Sequence, residues 1–227
     1  MSPGVSCIIP CRNGRAYLAQ AIASAVVAGV DEVIVVDDGS TDDSAAIAQA
    51  ASGTVQVLRQ ARQGAAAARN AGLALARHEV IAFLDADDLW PEGSLALRRD
   101  ALAAAPGLAA VYGHVRQFLS PELDETTARR LACPEGTIAA RTFGSIFLRR
   151  AVFERIGVLD AGIEQGEMFD FMARFSDAGL GILALPEVVL LRRIHGANMM
   201  HPAGGARLGY PRALKAILDR RRQAAPG

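Results

Sequence analysis

Short apolar segments alternate with helix-like patterns along the first half of the chain. The apolar segments have the length of strands and occupy residues 5–10, 32–36, 54–58 and 79–84. Between them, apolar residues recur at helical spacing over 16–27, 45–51 and 64–76. Strands and helices that alternate at this spacing predict right-handed βαβ crossovers. We therefore predict an α/β fold with a mostly parallel central sheet flanked by helices.

The second half is less regular. Its pattern predicts strands over 108–118 and 188–194, a return to the sheet over 137–148, and helices over 151–156 and 167–178. Residues 120–136 are polar and rich in turn formers, which favours a loop over the site. From Arg207 to Arg222 the pattern is that of an amphipathic helix with a basic face.

Acidic residues follow two of the predicted strands directly. Asp85, Asp87 and Asp88 come after the strand over 79–84, and Asp37 and Asp38 end the strand over 32–36. Ligands of open parallel sheets bind beyond the carboxyl ends of the strands. The two clusters lie a few ångströms apart if their strands are sheet neighbours. Carboxylates this close repel one another, which favours a divalent cation between them.

Simple turn and capping chemistry is the alternative explanation of these acids. Asp37 and Asp38 precede Gly39, which suits a turn. Asp88 is placed to cap a helix that opens near Pro91.

Composition and charge narrow the functional class. The 227 residues are 51% hydrophobic and 21% charged, which is typical of one globular domain with appendages. Because 24 basic residues balance 24 acidic ones, net charge indicates no nucleic-acid partner. Three cysteines are too few for a disulfide framework or zinc site, and Cys7 falls in a predicted buried strand. With no apolar run of membrane-spanning length or signal-like start, we expect a cytoplasmic protein.

An ordered set of motifs resembles a known family. In chain order the motifs are Val5 to Asn13, Val33-Ile34-Val35-Val36-Asp37-Asp38-Gly39-Ser40-Thr41-Asp42, Gly64 to Asn70, Phe83-Leu84-Asp85-Ala86-Asp87-Asp88, and Arg192-Arg193-Ile194-His195. As an ordered set they resemble the family 2 glycosyltransferases of GT-A fold. No Gly-x-Gly-x-x-Gly follows the first strand, so a nicotinamide-type site has little support. A sugar-nucleotide pyrophosphorylase is also disfavoured, because Arg12-Asn13-Gly14 matches its triphosphate loop poorly.

The resemblance implies a UDP-sugar donor. Asp38 matches the family position that accepts a hydrogen bond from uracil N3–H. Asp37 and the backbone around Pro10 to Arg12 would frame the nucleoside, and Arg69 would support the acids or a phosphate. An ordinary salt bridge is the alternative for Arg69.

The resemblance also implies a metal-assisted reaction. Asp85 and Asp87 match the Asp-x-Asp motif that binds Mn²⁺ or Mg²⁺, with Asp85 reaching ribose or a metal-bound water. His195 would complete the metal site, and the fork of Arg193 suits phosphate oxygens. The corresponding division of the chain is a domain over 1–206, with a nucleotide-sugar-binding half over 1–118 and an acceptor-binding half over 119–206. The basic helix over 207–227 follows it.

The general base is where the chain departs from the family pattern. Counting back from Arg174 places Met168 where the family has its catalytic Asp. Three alternatives follow: Glu167 or Asp170 replaces the base, the acceptor is a nucleophile such as a thiol that needs less help, or the chain binds donor with weak or no catalysis. On a helix over 167–178, Glu167, Asp170 and Arg174 share one face.

The resemblance as a whole predicts an inverting, metal-dependent glycosyltransferase. It moves a sugar from a UDP-sugar to an acceptor that the sequence does not specify, whether a glycan, a lipid-linked or peptide acceptor, or a small molecule. The alternative is a nucleotide-sugar-binding partner protein with weak or no activity. The basic helix over 207–222 is expected to pack on its own domain. Contact with the inner face of a membrane, or with a second copy of the chain, is the alternative.

Overall fold

A single eight-stranded sheet organises the described part of the chain. The computed structural model describes residues 3–51, 53, 55–131, 133–163, 166–196 and 209–224. The strands are β1 (Val5–Cys11), β2 (Glu32–Asp38), β3 (Val55–Gln60), β4 (Val80–Phe83), β5 (Ala110–Leu119), β6 (Thr137–Ala139), β7 (Ile146–Arg149) and β8 (Ile182–Ile194). The helices are α1 (Leu18–Ala28), α2 (Ser44–Gln49), α3 (Ala65–Leu75), α4 (Ser94–Ala104), α5 (Glu125–Arg130), α6 (Arg150–Ile156), α7 (Glu167–Asp177) and α8 (Gly209–Ala224).

The strand order is β3-β2-β1-β4-β7-β5-β6, with β8 paired to β5. Strands β1 to β4 run parallel, and β5 and β8 are also parallel. Strands β6 and β7 are antiparallel to their neighbours. The predicted α/β fold with a mostly parallel, helix-flanked sheet is therefore confirmed.

Strand β1 lies at the centre of the parallel part and is buried on both faces. Ile8 faces one hydrophobic cluster, whereas Cys7 and Ile9 face the other. Helix α3 covers one of these faces, and Gly72 allows its close approach, because a Cβ there would lie 2.4 Å from Ile8 Cγ2. This approach brings the α3 side chains to the sheet edge that carries the acids.

The two acid-bearing strands are not neighbours, because β1 lies between β2 and β4. Their ends are two strand spacings apart, about 10 Å at the usual separation. The two acid clusters were expected to lie a few ångströms apart only if β2 and β4 were sheet neighbours, and they are not. An elongated ligand is needed to reach both clusters.

Two predictions for the second half are corrected in detail. Residues 120–136, expected to be a loop, contain α5, which Asp124 begins by accepting the N–H of Thr127 at 2.9 Å. None of the α5 residues is buried, so no apolar period marked it. The stretch over 137–148, expected to return to the sheet, does so as two strands, β6 and β7. A turn at Thr142–Ser145 separates them, where Ser145 N–H donates to Thr142 O.

The C-terminal helix packs on the domain, as the sequence analysis expected. Arg220 and Arg221 of α8 pair with Asp170 and Asp177 of α7. Residues 207, 208 and 225–227 of the predicted basic helix lie outside the described residues. No helix in the described ranges has both the length and the apolar character of a membrane span.

Candidate active site

The site lies at the carboxyl ends of β1, β2 and β4. Strand β1 is the point at which the chain order reverses, since β2 and β3 lie on one side and β4 on the other. Crevices at such switch points are the usual ligand sites of open α/β sheets. The loops after β1 and β2 are joined there: Asn13 N–H donates to Ser40 Oγ, and Asn13 Oδ1 accepts the N–H of Thr41. Asn13 has a positive φ of 52°, which Asn tolerates in such a turn.

The segment Asp85–Asp88, which we call the acid turn, follows β4. It is closed by the N–H of Asp88, which donates to Asp85 O at 3.1 Å. The side chains of Asp85 and Asp87 are 42% and 33% exposed, so both can reach a ligand. Asp88 points inward, where burial raises its pKa well above the ordinary value, and the charges of Asp85 and Asp87 raise it further. This repulsion shows that the turn concentrates negative charge.

Asp88 does not cap a helix, so the alternative explanation by capping does not apply to it. Helix α4 begins at Ser94 with Gly93 at the N-cap position. Asp88 instead accepts the backbone N–H of Arg193 at 2.9 Å. The side chain thus ties the acid turn to β8, a contact between positions 105 apart that local pattern does not reveal.

Arg69 of α3 joins the acid turn to α7. Its guanidinium donates to Asp85 Oδ1 at 2.7 Å and to Glu167 Oε1 at 2.9 Å. Arg69 is 5% exposed, and its Cζ lies 4.1 Å from the ring centroid of Phe143. Its Nε is buried and has no hydrogen-bond partner among the described residues. The predicted support of the acids by Arg69 is present in this geometry, and it extends to a candidate base.

His195 lies beside the acid turn on the other side. Its Nε2 is 3.0 Å from Asp87 Oδ2, and its ring stacks at a tilt against Tyr17, with centroids 4.7 Å apart. The three predicted metal ligands therefore lie close together: Asp85 and Asp87 belong to the acid turn, and His195 contacts Asp87.

Arg193 holds the acid turn through a hydrogen bond to its backbone. Its Nε donates to Asp87 O at 3.0 Å, and the other guanidinium nitrogens donate to Ser120 Oγ and Gln20 Oε1. The residue is 2% exposed. The guanidinium of Arg193, which was expected to bind phosphate oxygens, donates to protein acceptors in this structure.

Asp37 and Asp38 are buried at the end of β2 and organise the loops around it. Asp37 accepts from Ser40 N and from Arg59 Nε. Asp38 accepts from the N–H groups of Gln63 and Gly64 and from Gln60 Nε2, at 2.7 to 2.8 Å. A carboxylate has about four acceptor positions, so these three bonds leave Asp38 one.

Of the predicted nucleoside-framing residues, Pro10 and Arg12 lie at the end of β1. Pro10 is half-buried and pairs with Val36, and Arg12 is exposed just beyond the strand. Both are therefore on the edge that Asp37 and Asp38 share.

The two candidate bases on α7 have different surroundings. Glu167 stands in the first turn, with its side chain 14% exposed and Oε2 accepting the N–H of Gly166. Asp170 is 1% exposed and accepts from Arg174 at 3.0 Å and from Arg220 at 2.6 Å. Met168 packs against the hydrophobic cluster that contains Phe171 and Phe175. Only Glu167 is connected to the acid turn, through Arg69.

The residues of the acid turn suit a hard divalent cation that arrives with its ligand. Carboxylate donors fit Mn²⁺ or Mg²⁺. Among the described residues, no group of three or more His, Cys, Asp or Glu side chains is placed to hold a metal ion by itself. Magnesium in proteins commonly uses one or two carboxylates and takes its other ligands from substrate phosphates and water. The donor set therefore fits such a shared site.

Sequence reasoning missed the residues that hold the site together. Tyr17 contacts Glu122, and Gln20 and Ser120 contact Arg193, across 73 to 173 positions of sequence. Phe143 lies under Arg69 in the same way. The one local signal was a polar stretch that begins at Ser120, directly after a strand of the same sheet.

Known structures share this fold. The chain resembles S. aureus TarS 1-349 in complex with UDP-GlcNAc at a TM-score of 0.74 and 16% identity, over 94% of this chain and 65% of that chain. It resembles mannosyltransferase PcManGT of Pyrobaculum calidifontis, in complex with GDP-Man and Mn²⁺, at a TM-score of 0.67 and 19% identity, over 100% of this chain and 77% of that chain. The fold is the GT-A fold of glycosyltransferases.

Sequence comparison defines the family. The model of the family described as Glycosyl transferase family 2 matches residues 6–157, so the chain belongs to that family. The succinoglycan biosynthesis protein ExoU of Rhizobium meliloti is 33% identical over 195 residues, which are 75% of this chain and 56% of ExoU. An uncharacterised glycosyltransferase of Nostoc sp. is 30% identical over 220 residues, 89% of this chain and 68% of that protein. The chain thus spans little more than half the length of ExoU.

Proposed function

We propose that the chain transfers a sugar from a UDP-sugar to an acceptor nucleophile, with inversion at the anomeric carbon and with a divalent metal. The observation that carries this proposal is the acid turn at the switch point of the sheet, flanked by Arg69 and His195. The similar TarS and PcManGT structures hold UDP-GlcNAc, and GDP-Man with Mn²⁺, which supports a nucleotide-sugar donor.

The donor would lie along the carboxyl edge from β2 to β4. The remaining acceptor position of Asp38 suits the uracil N3–H, with Asp37 and the backbone around Pro10 and Arg12 framing the nucleoside. The separation of two strand spacings, about 10 Å, matches an extended ligand with its base at β2 and its diphosphate at β4. A compact ligand at either cluster alone would leave the other unexplained.

Asp85, Asp87 and His195 would hold Mn²⁺ or Mg²⁺ beside the diphosphate. When bound, the metal neutralises negative charge that develops on the departing diphosphate. The protein contributes by keeping both carboxylates on one turn, which Asp88 and Arg193 tie to β8. We assign Arg193 to this support rather than to phosphate.

Glu167 is the best-placed base in this scheme. In an inverting transfer, the acceptor oxygen or sulfur forms a bond to the anomeric carbon as the bond to UDP breaks, and the acceptor proton passes to a carboxylate. Glu167 is partly exposed at the start of α7, whereas Asp170 is enclosed by two arginines. A thiol acceptor, which ionises more readily than a hydroxyl, would lower the demand on this base.

A thermal-shift and turnover experiment tests the proposal. A ligand that binds only the folded state raises its stability with the logarithm of ligand concentration over the dissociation constant. We expect UDP with Mn²⁺ to raise the Tm, and chelation of the metal to abolish the rise. We also expect slow release of UDP from a UDP-sugar into water. Unchanged stability with every nucleotide tested, with and without Mn²⁺, would contradict the proposal.

The second candidate function is a nucleotide-sugar-binding partner without catalysis, and Met168 favours it. Tight Mn²⁺-dependent binding of UDP-sugar, with no UDP release in the presence or absence of acceptor mixtures, would support this alternative. Replacing Met168 with Asp is a less direct test than sequence alone suggests, because Met168 packs against the core and a carboxylate there would be costly to bury.

A further inference from the structure

Tyr17 lies where three parts of the candidate site meet. It immediately precedes α1, and its ring centroid is 4.7 Å from that of His195. On the same ring, the Cζ of Arg193 lies 4.6 Å from the centroid. Its hydroxyl donates to Glu122, in the segment that follows β5. One side chain therefore contacts a candidate metal ligand, the arginine that holds the acid turn, and the segment after β5.

The ring of Tyr17 limits where the end of β8 can lie. Arg193 is held between the rings of Tyr17 and Phe118, with centroid distances of 4.6 and 4.8 Å. From this position Arg193 donates to Asp87 O. The next residue but one, His195, contacts the carboxylate of the same Asp87. Because cation–π and ring contacts favour specific orientations, the Tyr17 ring restrains both contacts to the acid turn.

The hydroxyl of Tyr17 restrains a different element. Glu122 accepts from Tyr17 and also from Ser120 Oγ at 2.7 Å, and Ser120 accepts from Arg193 at 3.2 Å. The bonds from Tyr17 and Ser120 lower the pKa of Glu122 to about 2. The start of the segment between β5 and α5 is thereby held against the acid turn.

We propose that Tyr17 is a positioning residue of the candidate active site, whose ring orients His195 against Asp87 and whose hydroxyl fixes the segment after β5. The inference rests on the proposed function, since it takes His195 and Asp87 as metal ligands. Groups that orient metal ligands typically change metal affinity 10- to 100-fold when removed. The two halves of the side chain can be tested separately.

The experiment compares Tyr17→Leu, which removes ring and hydroxyl, with Tyr17→Phe, which removes the hydroxyl alone. Tyr112→Phe is the matched control for loss of a hydroxyl. Tyr112 lies near the start of β5, roughly 20 Å from Phe118 along the strand at about 3.3 Å per residue. Mn²⁺-dependent UDP binding is measured by calorimetry, and backbone amide exchange over 120–124 by mass spectrometry. Circular dichroism establishes that each variant is folded.

We expect Tyr17→Leu to weaken Mn²⁺-dependent UDP binding by about tenfold or more. Tyr17→Phe should weaken binding less than Tyr17→Leu does, but exchange faster at Leu123, whose N–H donates to Ser120 O. Wild-type binding by Tyr17→Leu would overturn the role of the ring, and unchanged exchange in Tyr17→Phe would overturn that of the hydroxyl. If the wild type itself binds neither Mn²⁺ nor UDP, the donor-site proposal fails, while the exchange result still decides the role of the hydroxyl.

Discussion

Asp88 is a carboxylate buried beside two others, and its charge opposes folding at neutral pH. Burial raises its pKa first, and the charges of Asp85 and Asp87 raise it further. The folded state therefore binds a proton more readily than the unfolded state. The unfavourable contribution is present above the raised pKa and disappears as pH falls toward the ordinary value of 3.8.

We predict that Asp88→Asn stabilises the metal-free protein at pH 7, because it removes a buried carboxylate whose charged form burial and the charges of Asp85 and Asp87 disfavour. The amide oxygen can still accept the N–H of Arg193. Because Asp88 becomes protonated in acid, the gain should shrink as pH falls. Urea unfolding in chelator across pH 4–8 measures it. Asp160→Asn, at an exposed site outside the acid turn, serves as the control. A gain that is equal at every pH would contradict the assignment.

Glu167 and Asp170 are three residues apart on one helix, yet their surroundings predict different roles. We predict that Glu167→Gln lowers kcat by about 10²- to 10⁴-fold, the usual contribution of a general base. Asp170→Asn should leave kcat nearly unchanged but destabilise the fold by about 1–3 kcal/mol, since one arginine loses a charged acceptor. Turnover with UDP-sugar and urea unfolding separate the two. Equal loss of turnover in a folded Asp170→Asn variant would make Asp170 the base.

At the scale of elements, α3 depends on a close approach to β1. Alanine favours a helix over glycine by about 1 kcal/mol. At position 72, however, a Cβ would lie 2.4 Å from Ile8 Cγ2. We predict that Gly72→Ala destabilises the protein by about 1–3 kcal/mol, as overpacking of a core does. Gly107→Ala, where the added Cβ meets nothing within 4 Å, should be neutral or slightly stabilising. Urea midpoints of the two variants test the difference, and equal midpoints would contradict it.

The elements that could be predicted are those whose signal is local. Strands β1, β2 and β4 are apolar runs buried on both faces, and each ends at a turn or an acid that the sequence displays. Helix α5 could not be predicted from periodicity, because it buries no residue and is held by the cap of Asp124. In the turn between β6 and β7, Gly144 O accepts from Trp90 Nε1 and from Arg98. Such long-range bonds leave no mark in the local pattern.

The same distinction holds for the candidate site. Asp85 and Asp87 can be recognised in the sequence, because three acids in four positions after a buried strand are unusual. The partners that orient them cannot. The sequence alone suggested that Arg193 binds phosphate. In the structure, Arg193 donates to Ser120, Gln20 and the acid turn. The position of the acids after the strand could therefore be predicted, whereas the contacts that hold them could not.

For the whole molecule, Arg69 is the link between the predicted nucleotide-sugar half, 1–118, and the predicted acceptor half, 119–206. This division remains a prediction, but the two ion pairs of Arg69 cross it directly: Asp85 lies in the first half and Glu167 in the second. Since Arg69 is buried on the ring of Phe143, its guanidinium has little freedom to change partners. The acid turn and the candidate base are thus held in one arrangement.

This coupling can be measured by a double-mutant cycle of Arg69→Gln and Glu167→Gln. Residues that share a buried ion pair show interaction free energies of about 0.5–3 kcal/mol, whereas independent sites add within about 0.5 kcal/mol. We predict a coupling above that limit in urea unfolding, because Arg69→Gln removes the guanidinium donor and Glu167→Gln replaces the charged acceptor with a neutral one. A parallel cycle of Arg69→Gln with Asp177→Asn, which pairs with Arg221 instead, should be additive. Additivity in both cycles would mean that Arg69 does not join the halves, and that Glu167 is held in place by the first turn of α7 alone.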